Sequence, residues 1–371
     1  MIYNWQQKDW PKFSYEESVF RDKLLACVQK LGHYAGSLKN LKKDMQLETI
    51  VQVMVQEALK SSAIEAEYIQ EEDIVSSIRN HYGLNEKQVF VADVRAKGVS
   101  QMMIDVYESY ASPLSILKLN SWHSMLLQHY RGSAGISIGV FRKDTEPMQV
   151  VSGPYGKRRV HFEAPPSDRV EKEMKAFVKW FKQTAPGGCH DLKAAPLRAA
   201  IAHLYFLTIH PYDDGNGRVG RAIAEKSLTQ GLGYPALVSL SQEIEANKKQ
   251  YYSAIQQAQS SNEITAWIVY FLDLVEASLV RVEQQVDFVV NKAKFYERVK
   301  ELMNERQTKV INRMLKEGPL GFEGGINARK YMSLTKCSKA TSTRDLGDLL
   351  AKQVLKKRPG SGRSSSYDLD L

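Results

Sequence analysis

Two apolar segments on either side of a short charged string constrain the fold of this 371-residue chain more than any other feature. Leu197–Ile209 has the continuous apolar character of a buried helix, and Ala222–Leu232 has the pattern of another. Between them, HPYDDGNGRVGR at His210–Arg221 supplies a base, carboxylates, a glycine-flanked amide and two arginines. The pattern predicts a helix–loop–helix whose loop carries the chemistry.

The start of the second helix is predicted to bind an anion. Gly215, Asn216 and Gly217 open that helix, so their backbone N–H groups and the helix dipole favour negative charge there. Arg218 and Arg221 are three residues apart, lie on one face, and can each form forked hydrogen bonds to phosphate oxygens. Two arginines in addition to the anion site at the helix start indicate that the ligand is a polyphosphate.

Three side chains of the string have chemistry suited to phosphoryl transfer. His210 follows the first helix, and an imidazole with an ordinary pKa near ~6.5 can act as a neutral base toward a hydroxyl. The Asp214 carboxylate is a hard oxygen ligand that suits Mg²⁺ bridging phosphate oxygens. The Asn216 amide is expected to donate to the same phosphate.

The string HPYDDGNGRVGR resembles the Fic-family motif His-x-Phe-x-Asp/Glu-Gly-Asn-Gly-Arg-x-x-Arg, with Tyr212 in place of Phe as the one departure. A phenol can pack at that site if its hydroxyl finds a partner. The resemblance implies an all-α Fic core that transfers AMP from ATP, with Mg²⁺, to a Ser, Thr or Tyr hydroxyl of a protein, itself included. The unsubstituted DGNG favours AMP over UMP, phosphocholine or a bare phosphate.

A second string, SSAIEAE at Ser61–Glu67, is called the inhibitory segment below. Ser61 and Glu65 are four residues apart and share a helix face. The string resembles the Fic inhibitory motif Ser/Thr-x-x-x-Glu-Gly/Asn, with Ala66 at the Gly/Asn position. The resemblance implies that Glu65 pairs with Arg221, which then cannot grip the γ-phosphate of ATP. Taken alone, the string is also an ordinary helix start.

Two further segments resemble Fic elements. An alternating, glycine-flanked stretch that includes Val151 and Ser152 predicts a β-hairpin, similar to the flap that docks a target strand over the Fic site. A surface hairpin without a partner is the alternative. Tyr252 and Gln259 are seven residues apart on a predicted helix, so both are expected to face an adenine pocket, although such tyrosines often belong to a core.

The C-terminal segment carries most of the net charge of +9 and resembles a winged helix-turn-helix. Three short helices are predicted at 308–316, 327–332 and 338–352, followed by a hairpin. DNA binding and protein docking or dimer formation both stay open for such a module. The basic residues predicted to contact DNA lie on its third helix and wing: Lys339, Arg344, Lys356, Lys357, Arg358 and Arg363.

The sequence therefore predicts three domains: a helical leader domain at 1–85, a Fic catalytic domain with a small hairpin flap at 86–290, and a winged helix-turn-helix at 297–371. Three scattered cysteines argue against disulfides and zinc, and no signal peptide or membrane span is recognisable, so a cytoplasmic protein is expected. A homodimer is an open expectation. The alternative to an enzyme is a DNA-binding regulator that senses nucleotide through a Fic core.

Overall fold

The computed structural model describes residues 2–130, 135–152, 159–236, 238–318, 321–359 and 365–371. The chain divides into two compact units, the first containing residues 1–40 and 46–280 and the second residues 41–45 and 281–371. The described parts are mostly helical and include two small antiparallel hairpins. The predicted leader helices and the helices on both sides of HPYDDGNGRVGR thus fall in one compact unit.

The first unit is built from ten α-helices and the start of an eleventh in its described residues. They are α1 Arg21–Lys39, α2 Lys43–Ile64, α3 Glu71–His81, α4 Val94–Glu108, α5 Ile116–Leu126, α6 Ser167–Gln183, α7 Ala195–Ile209, α8 Asn216–Leu232, α9 Leu240–Ala246, α10 Lys248–Ala258 and α11 Thr265–Val299. Within the described ranges, no helix is both long and apolar enough to cross a membrane.

The pair α7 and α8 forms the centre of this unit and confirms the predicted helix–loop–helix. All 15 residues of α7 are buried, as its lack of a polar face requires. The helices approach closely at Gly231, where a Cβ atom would lie 2.3 Å from the Cβ of Ala195. Such packing fixes the two helices against each other at the ends farthest from the loop.

The predicted hairpin is present in its described residues. Strand β1, Gln149–Ser152, pairs antiparallel with β2, Arg159–Glu163, and the register shifts between Val150 and Val151. Residues 153–158, which include the predicted tip, lie outside the described residues. A shift of this kind is a β-bulge, which bends the bulged strand.

The aromatic residues near the N-terminus pack against the hairpin base and α7. The Trp5 indole donates to the Glu163 carbonyl over 2.7 Å, and Tyr3 meets Phe162 edge-on. Trp10 makes an edge-to-face contact with Tyr205 of α7, with ring centres 5.2 Å apart. The N-terminal segment therefore links the hairpin to α7, the helix that precedes HPYDDGNGRVGR.

The second unit contains the end of α11 and the elements predicted for the C-terminal segment. These are α12 Glu305–Leu315, α13 Ala328–Thr335, α14 Lys339–Ala351, β3 Leu355–Lys357 and β4 Tyr367–Leu369. Asn304, Asn327 and Ser338 cap the three short helices through their side chains. β3 and β4 pair antiparallel, and a core that includes Val310, Tyr331 and Leu349 fills the interior.

Candidate active site

The catalytic loop, His210–Gly215, begins with a strained residue. His210 ends α7 in the left-handed conformation, with φ of +50°, which non-glycine residues rarely adopt outside functional sites. Its Nδ1 lies 3.3 Å from the Leu207 carbonyl, so that nitrogen carries the proton and Nε2 accepts. Burial, then the positive charge of Arg142, lowers the pKa of His210 to about 4. The imidazole is thus a neutral base at physiological pH.

The Asn216 side chain closes the loop on itself. Its amide nitrogen donates to the Tyr212 carbonyl over 2.7 Å, and its oxygen accepts from the Tyr212 N–H over 3.0 Å. One N–H of the side-chain amide is used in this way, and the second N–H has no partner in these contacts. The expectation that Asn216 donates to a phosphate stays a prediction.

Tyr212, the one departure from the motif, has the partner that its hydroxyl needs. The ring is fully buried, and the hydroxyl donates to the Asn120 side-chain oxygen over 2.9 Å. His123 stacks on the ring at 4.0 Å between centres. His123 Nδ1 accepts from the Gly139 N–H, so its Nε2 donates to the Asp214 carbonyl over 3.0 Å. These contacts hold Tyr212 and the Asp214 carbonyl in place and so support the loop.

The first turn of α8 lies beside an accessible carboxylate. Gly215 precedes the helix with φ of +79°, and one Asp214 oxygen accepts its N–H. The other Asp214 oxygen is 3.8 Å from Arg218 Nη2, and the side chain is 46% exposed. Asp214 therefore combines accessibility with a position at a helix N-terminus that favours anions.

Arg221 is buried and held by the inhibitory segment. Its Nε donates to the Ser61 hydroxyl, and its Nη2 donates to both the Ser61 carbonyl and a Glu65 oxygen, each over 2.9 Å. Its Nη1 has no hydrogen-bond partner among the described residues. The structure brings Ser61, Glu65 and Arg221 together, as the sequence predicted.

Glu65 also lies directly over the start of α8. A Cβ atom at Gly217 would lie 2.2 Å from Glu65 Oε1, so only glycine leaves room for the carboxylate. The carboxylate therefore lies against the first turn of α8, and helix N-termini favour anions. Next to it, Ala66 has φ of +60°, a conformation that glycine and asparagine adopt more easily than alanine.

Arg218 is held by a second carboxylate of the inhibitory segment, Glu67. Arg218 Nη1 donates to Glu67 Oε2 over 2.6 Å, and only 2% of the Arg218 side chain is exposed. Its Nε has no hydrogen-bond partner within the described ranges. Both arginines predicted to bind phosphates are therefore paired with carboxylates from the same seven residues.

Tyr252 and Gln259 occupy different environments. Tyr252 is 46% exposed, and burial of its hydroxyl followed by the nearby Glu65 charge raises its pKa to about 12. Gln259 is buried and donates to the Leu207 carbonyl over 3.4 Å, beneath His210. The adenine-pocket role of this pair stays a prediction.

His203 is a core histidine, because it is buried and contacts the Tyr251 hydroxyl at 2.8 Å.

The residues predicted to dock a target strand or DNA lie on the hairpin and in the second unit, and their roles stay predictions. Val151 is exposed on β1, where Val151 pairs with Val160 and Ser152 pairs with Arg159. In the second unit Lys339, Arg344, Lys356 and Lys357 are exposed and Arg358 is half-buried, while Arg363 lies outside the described residues. Two of these cations have loose acidic partners across the hairpin, at 3.7 Å for Lys356–Asp370 and 3.5 Å for Arg358–Asp368.

Sequence reasoning missed three residues of the site. Glu67 had a signal, because it is a second acid two positions after the inhibitory glutamate. His123 had little signal, because it is one of several polar residues in the segment that forms α5. Arg142 had no sequence signal, since it lies in an irregular stretch far from the motif, yet its guanidinium contacts the His210 backbone.

Two family models match the chain. Residues 113–228, from α5 through most of α8, match the Fic/DOC family, and residues 3–84 match DUF4172, a domain of unknown function. The first match contains both the catalytic loop and the arginines of α8. The fold and the site thus define a helical protein built around the Fic motif. The chain belongs among the Fic-domain proteins.

Curated relatives named protein adenylyltransferase Fic are similar to part of the chain. One from Nematostella vectensis is 31% identical over 94 residues, covering 25% of this chain and 20% of the relative. One from Drosophila grimshawi is 28% identical over 106 residues, covering 29% and 20%. The matched segment is thus about a fifth of the length of these relatives.

Two solved structures share the fold. A Fic family protein from Desulfovibrio desulfuricans has a TM-score of 0.54 at 19% identity, covering 94% of this chain and 95% of its own. A Fic domain containing signaling protein from Bacteroides thetaiotaomicron also has a TM-score of 0.54, at 17% identity, covering 73% and 97%. At such identities the likeness describes the fold.

Proposed function

We propose that this protein is a protein adenylyltransferase, which transfers AMP from ATP to a Ser, Thr or Tyr hydroxyl of a protein, itself included, and is autoinhibited by Glu65. One observation carries the proposal: a neutral His210 at the end of α7 adjoins an anion-binding helix start with two buried arginines. A protein that only sensed nucleotide would need the helix start but no base.

In the proposed reaction His210 Nε2 takes the proton of the target hydroxyl. The hydroxyl oxygen then forms a bond to the α-phosphorus, the bond from that phosphorus to the bridging oxygen breaks, and pyrophosphate leaves. General-base assistance of this kind contributes about 10²- to 10⁴-fold. The Leu207 carbonyl keeps the proton on Nδ1 and so leaves Nε2 available.

Mg²⁺ fits the donor set of the site. The exposed Asp214 oxygen is a hard ligand next to the anion-binding helix start, and in such sites Mg²⁺ takes one or two carboxylates together with phosphate oxygens. When bound, the ion neutralises charge on the phosphates. Asp214 would hold it, while α8 and its arginines would bind the phosphates themselves.

The autoinhibition is proposed from the two ion pairs of the inhibitory segment. Glu65 engages Arg221 and covers Gly217, and Glu67 engages Arg218. With both arginines paired, the β- and γ-phosphates have no clamp, and the α-phosphate is not held in line with an incoming hydroxyl. The unpartnered Arg221 Nη1 and Arg218 Nε are donors left for a ligand.

The test is transfer of label from ATP to the protein itself and to a lysate in the presence of Mg²⁺. Label at the α-phosphate should become attached to protein, and label at the γ-phosphate should not. Transfer of the γ-label would indicate a kinase, and preference for UTP would indicate uridylyl transfer. An unreactive protein that still binds ATP, even after Glu65→Gly, would contradict the enzyme and favour the regulator.

The second candidate, a DNA-binding regulator, is favoured by the second unit. Its order of α12, α13, α14 and a hairpin supports the predicted winged helix, and α14 exposes Lys339 and Arg344. This function is compatible with transferase activity elsewhere in the chain. Salt-sensitive binding of duplex DNA by the full-length protein would support it, and salt-independent or absent binding would favour protein docking or dimer formation.

A further inference from the structure

Arg142 is a buried cation that contacts the backbone on both sides of the catalytic histidine. Only 3% of the residue is exposed. Its Nε donates to the His210 carbonyl over 2.8 Å, and its Nη2 reaches the Ile209 carbonyl at 3.4 Å. Its own N–H donates to the Pro211 carbonyl over 3.0 Å. Arg142 therefore contacts three consecutive carbonyls at the C-terminal end of α7, where the helix dipole favours a positive charge.

The same guanidinium also reaches the base of the hairpin. Nη2 donates to the Pro165 carbonyl, two residues after β2 ends at Glu163. At the same end of the hairpin, the Ala164 N–H, just after β2, donates to the Met148 carbonyl, just before β1. One side chain thus joins the backbone of His210 to the foot of the element proposed to dock a target.

We propose that Arg142 is a positioning residue: its guanidinium holds His210 in the left-handed conformation and fixes the distance between the imidazole and a target strand docked on the hairpin. This rests on the proposed function, in which His210 is the base. A forked, planar donor is required, because a lysine ammonium on a flexible stem cannot hold the His210 and Pro165 carbonyls in fixed geometry. Small displacements of a reacting group can cost about 10²-fold in rate.

The position of Arg142 also gives a measurable electrostatic effect on His210. The charged groups that act on the imidazole are Arg142, which lowers its pKa, and Glu65 and Asp214, which raise it. Loss of the Arg142 charge should therefore move the His210 titration to higher pH. The acid limb of a rate profile would move the same way, because protonated imidazole is not a base.

The experiment compares Arg142→Gln and Arg142→Lys with a matched control, Arg198→Gln. Arg198 is also buried, and it lies near the end of α7 opposite His210. It donates to the Phe181 carbonyl of α6. The His210 pKa is followed by NMR of labelled histidines in the full chain, with His210→Ala to assign the signal. Rates of label transfer from ATP are measured in the Glu65→Gly background.

Arg142→Gln should raise the His210 pKa and slow transfer by roughly 10²-fold. Arg142→Lys should leave the pKa in place yet slow transfer at least about 10-fold, since it keeps the charge and loses the fork. The proposal is overturned if the pKa stays unchanged in Arg142→Gln, or if transfer falls no further than in Arg198→Gln. Should Arg142→Gln not fold, Arg142→Lys alone decides. If Glu65→Gly shows no transfer, the proposed function fails, while the NMR titration still tests the contact.

Discussion

The chain places cations in two regions in opposite ways. Arg218 and Arg221 on α8 are 2% exposed, their carboxylate partners lie at 2.6 Å and 2.9 Å, and each retains an unpartnered nitrogen. In the second unit, Lys356 is exposed and Arg358 half-buried, and their acidic partners lie at 3.7 Å and 3.5 Å. Buried, fixed donors recognise the shape of one ligand, whereas exposed cations contribute a screened, diffuse attraction.

The largest effect is expected at the base itself. His210→Ala should reduce label transfer by about 10²- to 10⁴-fold while leaving ATP affinity nearly unchanged, because the imidazole acts on the target hydroxyl and not on the nucleotide. Transfer rates and ATP binding by calorimetry check the two parts. Undiminished labelling would remove His210 from the proposed role.

Release of the arginines should have the opposite sign. Glu65→Gly is expected to raise auto-labelling by about 5- to 150-fold, the usual range for coupling between a regulatory contact and a ligand. The gain should vanish when Arg221 or His210 is also replaced. Glu67→Gln, which removes the partner of Arg218, should give a smaller gain. Equal labelling by wild type and both variants would show that the segment does not inhibit transfer.

Charge-conserving exchanges sharpen the comparison between the two regions. Arg221→Lys should weaken ATP binding about tenfold or more, with a smaller effect on AMP, because the fork that reaches distal phosphates is lost. Arg358→Lys should change neither duplex binding nor ATP affinity measurably, since the positive charge near its loose partner Asp368 is retained. Equal losses for ATP and AMP in Arg221→Lys would mean that this residue does not bind distal phosphates.

The basic surface of the second unit should give a graded response to salt. If it binds DNA, each phosphate contact contributes about −0.9 to the slope of log affinity against log salt. Removing Lys339, Arg344 or Lys357 singly should then lower the slope by roughly one contact each, without loss of label transfer. A flat salt profile would point to a protein partner.

The smallest effect concerns Ala66. Because its φ is +60°, Ala66→Gly should relieve left-handed strain and stabilise the protein by about 1 kcal/mol. Ala63→Gly, in the preceding helix α2, is the matched control and should destabilise by a similar amount. Urea unfolding midpoints measure both, and a destabilised Ala66→Gly would show that the turn is not strained.

The sequence predicted much of the site because the motif is local. Twelve residues between two apolar helices specify the loop, and Ser61 and Glu65 were predicted by their spacing and by the resemblance together. The Tyr212 hydroxyl needed a partner, but nothing in the sequence identified Asn120, which lies 92 residues earlier in the chain. Long-range side-chain partners depend on how the helices pack.

The Asn216 amide shows a limit of a different kind. A glycine-flanked amide at a predicted phosphate site suggests a ligand contact, and the sequence did not reveal that its oxygen and one N–H also bond to the backbone four residues away. Asparagine side chains often bond to nearby backbone in this way. The partners of Glu67 and Arg142 could not be predicted for a third reason, because only the folded chain brings a carboxylate to Arg218 and a guanidinium to the His210 carbonyl.

The glycine at 217 has a consequence for how the protein would respond to nucleotide concentration. The Glu65 carboxylate lies against Gly217, so under the proposed function the segment would act as an intramolecular competitor of ATP. The apparent dissociation constant is then the intrinsic one divided by the fraction of molecules whose competitor has moved away. Anything that captures the displaced segment, whether a partner protein or a second copy, would therefore lower the ATP concentration needed for activity by the factor through which it raises that fraction.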